Sequence, residues 1–185
     1  MSDEIYQTIF IGEAGVGKTS LIEQFLHQKF YQDIHTTDQY YWVRKNIKIS
    51  GLNEIVLDIR DIPTNYYIID LLKIFMKDVA VVFLVYDITS KESFEKMKSQ
   101  WYGEIKKANN ENAIVAIVAN KNDLNEKREV NDVDGKAFAE EKGAFFISTS
   151  AKNGNGIQAL FKNVIKKIFD MTLKSMKKKK KKKKK

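Results

Sequence analysis

The sequence contains the stretch Gly12-Glu13-Ala14-Gly15-Val16-Gly17-Lys18-Thr19, which matches the pattern G-x-x-x-x-G-K-[ST]. A β-rich run over residues 5–11 precedes it, and residues 19–27 follow it with apolar side chains on one helical face. Glycines let backbone N–H groups point at phosphate oxygens, while a lysine reaches the β- and γ-phosphates and a hydroxyl binds Mg²⁺. The stretch therefore predicts a phosphate-binding loop. Its expected nucleotide-binding residues are Ala14, Gly15, Val16, Gly17, Lys18, Thr19 and Ser20.

Strand-like and helix-like segments alternate along the rest of the chain. The predicted strands cover residues 5–11, 40–49, 54–61, 79–86, 113–119 and 144–147, and the predicted helices residues 19–27, 65–76, 90–107, 131–142 and 156–173. The second and third strands are joined by a short turn, so they should pair antiparallel. Buried strands separated by helices predict an α/β fold with a six-stranded, mostly parallel sheet and five helices on both faces.

Length and charge limit the protein to one domain with a basic end. The chain has 185 residues and no cysteine, which excludes disulfides and thiolate metal sites. Its formal net charge is +8, but residues 174–185 hold ten basic side chains and no acidic one. The remaining residues carry a slight excess of acidic side chains. We therefore expect a globular domain over residues 1–173 and a disordered poly-lysine tail over 174–185, rather than a basic domain that binds nucleic acid.

Two further motifs indicate which base is bound. Asn120-Lys121-Asn122-Asp123 directly follows the predicted fifth strand, and the Asp123 carboxylate can accept N–H bonds from N1 and the 2-amino group of guanine. Ser150-Ala151-Lys152 follows the predicted sixth strand, where a backbone N–H can read the guanine O6. Because both motifs stand at carboxyl ends of parallel strands, they should meet the phosphate loop in one site. The expected base-binding residues are Asn120, Lys121, Asp123, Ser150, Ala151 and Lys152.

With these motifs the sequence resembles the Ras superfamily of small GTPases, and the Rab branch most closely, over about residues 5–172. Val85-Tyr86-Asp87-Ile88-Thr89 is similar to the Rab stretch after the fourth strand. The resemblance implies that Phe30 packs on the guanine face and that Thr37 is the first-switch threonine, which closes on Mg²⁺ and the γ-phosphate. Thr36 is adjacent and competes for that assignment. Asp61 is implied to hold Mg²⁺ through water.

The resemblance also implies a biological role. It implies a monomeric switch that binds GTP and GDP with Mg²⁺, hydrolyses GTP, and acts in vesicle-mediated transport. The acidic start of the chain and the lack of cysteine make a cytoplasmic location the default expectation. Effector, exchange-factor and activating proteins would be its partners. Lys18, Thr37 and Asn65 are the expected catalytic residues, and Thr19, Thr37 and Asp61 the expected metal-binding residues.

The second switch departs from the family pattern. The family opens it with D-T-A-G-Q, whereas this chain reads Asp61-Ile62-Pro63-Thr64-Asn65. Thr64 replaces a glycine that changes conformation with the nucleotide, and a β-branched residue disfavours positive φ. Asn65 keeps the amide of the water-orienting glutamine but is one methylene shorter. We therefore expect slow intrinsic hydrolysis, unless another residue or a partner positions the water. The alternative is a hydrolysis-deficient scaffold that stays bound to GTP and recruits partners.

The tail has three open interpretations. Without cysteine the chain offers no prenylation site, so Lys177–Lys185 would bind an anionic membrane surface by charge alone. The same run is compatible with a nuclear address or with RNA binding, although it has no interleaved aromatic side chains for base stacking. It is equally compatible with a solvated segment that has no specific role. An RNA-binding protein that works through this tail is the third functional hypothesis.

Overall fold

The computed structural model describes residues 4–32, 40–48, 54–63, 75–76, 78–108 and 112–182, with side chains through residue 173. The strands are β1 (Glu4–Ile11), β2 (Tyr41–Ile47), β3 (Ile55–Asp61), β4 (Val81–Asp87), β5 (Ile114–Asn120) and β6 (Phe145–Ser148). The α-helices are α1 (Lys18–His27), α2 (Lys91–Lys96), α3 (Tyr102–Lys107), α4 (Asp132–Glu141) and α5 (Ile157–Lys182). A π-helical turn (Met97–Trp101) joins α2 to α3, and a 3₁₀ helix spans Asn122–Lys127.

The six strands form one sheet in the order β2-β3-β1-β4-β5-β6. Only β2 runs antiparallel to its neighbour, and all other pairs are parallel. The predicted fold class is confirmed. The predicted helix over residues 65–76 lies almost wholly outside the described residues.

The core consists of two apolar layers, one on each face of the sheet. Every residue of β4 is buried, as expected for a central strand covered on both faces. On one face the ring of Phe83 contacts the rings of Phe10 and Phe161, with centroid distances of 4.4 Å and 5.4 Å respectively. On the other face Tyr86 and Trp101 are buried under the helices between residues 91 and 141. Such packing makes the sheet a rigid platform for the loops that leave it.

The last helix extends further than the sequence predicted. The apolar stripe of α5 ends near Leu173, where we placed the end of the domain, but the helical backbone continues to Lys182. The segment expected as a disordered tail is therefore helical over most of its length in this structure. Lysine is a good helix former, the run contains no glycine or proline, and positive charge complements a helix C-terminus. No helix in the described part of the chain is long and apolar enough to cross a membrane.

Candidate nucleotide-binding site

The phosphate loop is placed between β1 and α1 by glycine backbone geometry. A Cβ on Gly12 would lie 2.2 Å from the Val85 carbonyl oxygen, so only glycine permits this close approach to β4. Gly17 lies directly before α1 as its N-cap, with φ +94°, a conformation that other residues adopt at a cost. The loop therefore wraps around the N-terminus of α1, where backbone N–H groups and the helix dipole favour an anion.

Lys18 is buried at the base of this loop. Its side chain donates to the carbonyl oxygens of Gly12 and Glu13, both at 2.9 Å, and only 7% of the residue is exposed. Burial lowers the pKa of Lys18 to about 8, although the nearby Asp61 and Glu13 carboxylates act in the opposite direction. A buried ammonium whose charged form is disfavoured gains most from an added anion. Lys18 is thus set to bind a phosphate.

Asp61 and Thr19 form the candidate metal position. The Thr19 hydroxyl donates to Asp61 Oδ2 at 2.5 Å, and Asp61 is completely buried at the end of β3. Burial raises the pKa of Asp61, and the Thr19 hydrogen bond and the Lys18 charge oppose that shift. Asp61 Oδ1 is buried and has no hydrogen-bond partner. A buried carboxylate oxygen in this state fits a cation, so the residues present suit Mg²⁺.

The candidate metal position offers one carboxylate and one hydroxyl, a donor set that suits magnesium. Within the described ranges no cluster of three or more His, Cys, Asp or Glu side chains could hold a metal ion. Mg²⁺ commonly takes one or two carboxylates and completes its shell with water and substrate phosphates. A single carboxylate and a hydroxyl beside a phosphate loop match that pattern.

Asn120 ties the phosphate loop to the two base-binding loops. Its Nδ2 donates to the Val16 carbonyl at 2.8 Å, and its Oδ1 accepts from the Thr149 hydroxyl and the Ala151 N–H, both at 3.2 Å. The side chain is completely buried. We predicted Asn120 only as a nucleotide-binding residue. The structure adds that it links three loops, each of which follows a different strand.

The base-binding loops are ordered by their own hydrogen bonds. The Asp123 carboxylate accepts from the Ser150 hydroxyl at 2.5 Å, which joins the two predicted motifs directly. Lys121 has the positive φ of 66° and pairs with Asp87 at 2.7 Å. The Asp87 carboxylate also accepts from the backbone and hydroxyl of Thr89 at 2.8 Å. The Asp123 carboxylate, which the sequence predicts to read the base edge, is therefore held by a contact within the protein.

A cavity of about 280 Å³ lies between these loops. Its lining includes nine of the predicted nucleotide-binding residues: Gly15, Gly17, Ser20, Phe30, Asn120, Lys121, Asp123, Ala151 and Lys152. Tyr31, Gln32 and Leu124 complete the lining and were not predicted. Leu124 could have been predicted from the sequence. An apolar residue directly after Asp123, which is expected to read the base edge, can cover a planar base.

Thr37 and Asn65, expected as switch residues, lie outside the described residues, so their roles stay predictions.

A larger cavity of about 450 Å³ lies between α2 and α4 and shares no residue with the loops above. Its walls carry charges of both signs, and nothing in its lining corresponds to a predicted motif.

The fold and the loops together define the class of protein, which is a P-loop nucleotide-binding protein. The sequence model of the Ras family matches residues 7–170, and the chain belongs to that family. Ras-related protein RABA5a of Arabidopsis thaliana is 30% identical over 169 residues, which cover 91% of this chain and 76% of that protein. The chain is therefore a Rab-like, GTP-binding small GTPase. Members of the family bind GTP and GDP with Mg²⁺ and hydrolyse GTP.

Proposed function

We propose that this protein is a GTP/GDP switch that acts in vesicle-mediated transport and hydrolyses GTP slowly on its own. The observation that carries the proposal is a cavity that extends from Gly15 and Gly17 of the phosphate loop to Asp123 and Ala151. A guanine base at the second end and phosphates at the first would fit one bound nucleotide. The Rab-like sequence supports the transport role and the expectation of effector, exchange and activating proteins as partners.

Each residue of the phosphate end has a definite task in this proposal. Lys18 and the loop N–H groups stabilise negative charge on the β- and γ-phosphates as the terminal bond breaks. Thr19 and, through water, Asp61 would hold the magnesium ion. Bound Mg²⁺ supplies positive charge at the phosphates. Thr37 would close over the γ-phosphate, as in the family pattern.

The segment after β3 supports slow turnover. Asp61 is completely buried and Ile62 is 2% exposed, so the chain leaves the sheet from a packed position. Pro63 is also buried and fixes its own φ. Thr64 and Asn65 follow, where relatives have the glycine and glutamine that bind the γ-phosphate and orient water. Phosphoryl transfer depends on positioning, so a misplaced amide is expected to cost about 10²-fold in rate.

The lysine run supports a location at the cytoplasmic face of a membrane. Each lysine near an anionic leaflet contributes about 1 kcal/mol, and salt screens the attraction. Lys177–Lys185 therefore suits reversible peripheral contact.

The test of slow hydrolysis is a single-turnover assay on the GTP-loaded protein. The double variant Thr64→Gly/Asn65→Gln restores the family residues, and we expect hydrolysis at least tenfold faster, within the approximately 10²-fold range given by positioning. Thr64→Ala/Asn65→Ala changes the same positions without restoring either function and serves as the matched control.

An unchanged rate in the restored variant would contradict the positional argument. A wild-type protein that keeps GTP unhydrolysed, and stays silent after restoration, would support the GTP-bound scaffold instead. If both proteins instead hydrolyse GTP at the same measurable rate, another residue orients the water.

A further inference from the structure

Glu13 makes side-chain contacts that the phosphate-loop motif does not require. It occupies a position of the motif where any residue is allowed. Its Oε1 accepts from the indole N–H of Trp101 at 2.9 Å, and its Oε2 accepts from the Lys96 ammonium at 2.9 Å. These donors lie 88 and 83 residues further along the chain. Both carboxylate oxygens are thus bound by the helix that spans residues 91–107.

The contact is protected enough to be energetically significant. Trp101 is 3% exposed, and the Glu13 side chain is 22% exposed. Hydrogen bonds to an ionised carboxylate are stronger than neutral ones, and partial burial limits their screening. The backbone carbonyl of the same Glu13 accepts from Lys18 at 2.9 Å. One residue therefore holds the phosphate-binding lysine through its main chain and a remote helix through its side chain.

The π-helical turn makes this contact possible. In a regular α-helix two residues five positions apart point about 140° away from each other. Between α2 and α3 the Tyr102 N–H bonds to the Met97 carbonyl, five residues back, and the turn is wider than an α-helical one. Lys96 and Trp101, which flank and end this turn, reach the same carboxylate. A distortion of this kind inside a helix is frequent at functional sites.

We propose that Glu13 is a positioning residue of the nucleotide site: Trp101 and Lys96 hold it, and this clamp slows release of the bound nucleotide. The proposal rests on the proposed function, because the ligand it retains is a guanine nucleotide. The loop must open for phosphates to leave, and its glycines make it easy to deform. Fixing the Glu13 side chain to a packed helix opposes that opening. Contacts of this kind act mainly on the dissociation rate.

The experiment measures release of GDP that carries a fluorescent N-methylanthraniloyl group from the full chain, chased with unlabelled GDP. Glu13→Ala removes both contacts, and we expect release about tenfold faster, because two contacts worth about threefold each are lost together. Trp101→Phe removes only the N–H donor and keeps a ring in the core, so a rise of about threefold is expected. The matched control is Glu92→Ala. Glu92 pairs with Lys96 at 2.9 Å but is largely exposed, so release should stay within about twofold of wild type.

Glu13→Gln separates positioning from general stability. Its amide oxygen still accepts from the Trp101 indole N–H. Its amide nitrogen is a donor without negative charge, so the ion pair with Lys96 is lost. Release slower than in Glu13→Ala but faster than in wild type supports the clamp. Equal release in Glu13→Ala and Glu92→Ala overturns it.

If Glu13→Ala does not fold, the release rates of Trp101→Phe and Glu92→Ala are compared instead. Faster release in Trp101→Phe supports the clamp, and equal release overturns it. A wild-type chain that binds no labelled GDP would instead refute the proposed function, and the clamp proposal with it.

Discussion

The base end of the site (the loops of Asn120 and Ser150) and its phosphate end (the Lys18 loop with Asp61) differ in how completely the protein satisfies its own polar groups. At the base end Asn120, Thr149 and Ser150 are completely buried. Asn120 accepts from the Thr149 hydroxyl and the Ala151 N–H, and the Ser150 hydroxyl donates to Asp123. At the phosphate end Asp61 Oδ1 is buried without a partner, and burial lowers the pKa of Lys18 to about 8. The polar groups of the first end are satisfied within the protein. Those of the second suit an added anion and an added cation.

This difference has a physical consequence for switching. A preorganised base end contributes affinity and selectivity that do not depend on the number of phosphates. The phosphate end keeps buried polar groups whose free-energy cost only bound phosphate and metal would remove. Its stability should therefore respond more strongly to the ligand. Substitutions at the two ends should therefore have different effects on nucleotide binding and on stability.

The largest expected effect lies at the base end, in Asp123→Asn. The carboxylate would accept two N–H bonds from guanine, whereas an asparagine can turn an N–H₂ group toward the same edge. Two hydrogen bonds to a charged group are worth about 10³-fold in affinity, so GTP binding should fall by about that factor. Xanthosine triphosphate has a carbonyl in place of the 2-amino group and should bind the variant better than GTP does. Competition binding with both nucleotides measures the change.

The two nucleotides carry the same triphosphate, so the contact with Lys18 is constant across the comparison. Loss of both affinities together would contradict an edge-reading role and indicate that the substitution had disturbed the loops.

A smaller effect is expected where the two ends meet, in Gly17→Ala. The new Cβ would lie 2.4 Å from Asn120 Nδ2, at a residue with φ +94°. Either the backbone shifts or the Asn120 bond to Val16 breaks, and nucleotide affinity should fall roughly tenfold to a hundredfold. Equilibrium titration with labelled GDP gives the number.

Gly143→Ala is the control for backbone strain alone. Gly143 also has a positive φ, of 65°, but nothing lies within 4 Å of its Cβ position. It should lose about 1 kcal/mol of stability and keep its affinity. Equal affinity losses in the two variants would show that contact with Asn120 is not the cause.

The sequence predicted the elements of this site better than the connections between them. Residue types and strand–loop–helix order were enough for the phosphate loop and for the sheet, because apolar periodicity and motif spacing are local signals. The three-loop link through Asn120 and the contact of Glu13 with Trp101 join residues far apart in sequence, and no local pattern encodes them. The π-helical turn was also missed, since the apolar stripe over residues 90–107 fits an ordinary helix. The end of α5 was missed for the opposite reason, because lysine extends a helix without an apolar stripe.

The smallest expected effect is a pH-dependent stability change at the phosphate end, in Asp61→Asn. Burial raises the pKa of Asp61 above its ordinary value of 3.8, so the folded protein takes up this proton at a higher pH than the unfolded chain does. The charged carboxylate therefore destabilises the protein stripped of nucleotide and magnesium at neutral pH, and that penalty disappears as the pH falls through the raised pKa. Asparagine is uncharged throughout.

Thermal melting of the stripped proteins should accordingly place the variant roughly 2–4 °C above wild type at pH 7, the shift that about 1 kcal/mol gives in a domain of this size. The gap should narrow as the pH is lowered through the carboxyl range. With GDP and Mg²⁺ the order should reverse, because the unpartnered oxygen then serves the cation and the variant loses that stabilisation. A gap that stays constant with pH would mean that Asp61 does not titrate between the two states. An order that magnesium does not reverse would mean that this carboxylate does not serve the metal. Only the phosphate end should show such a reversal, since the base end has no buried carboxylate oxygen left without a partner among the described residues.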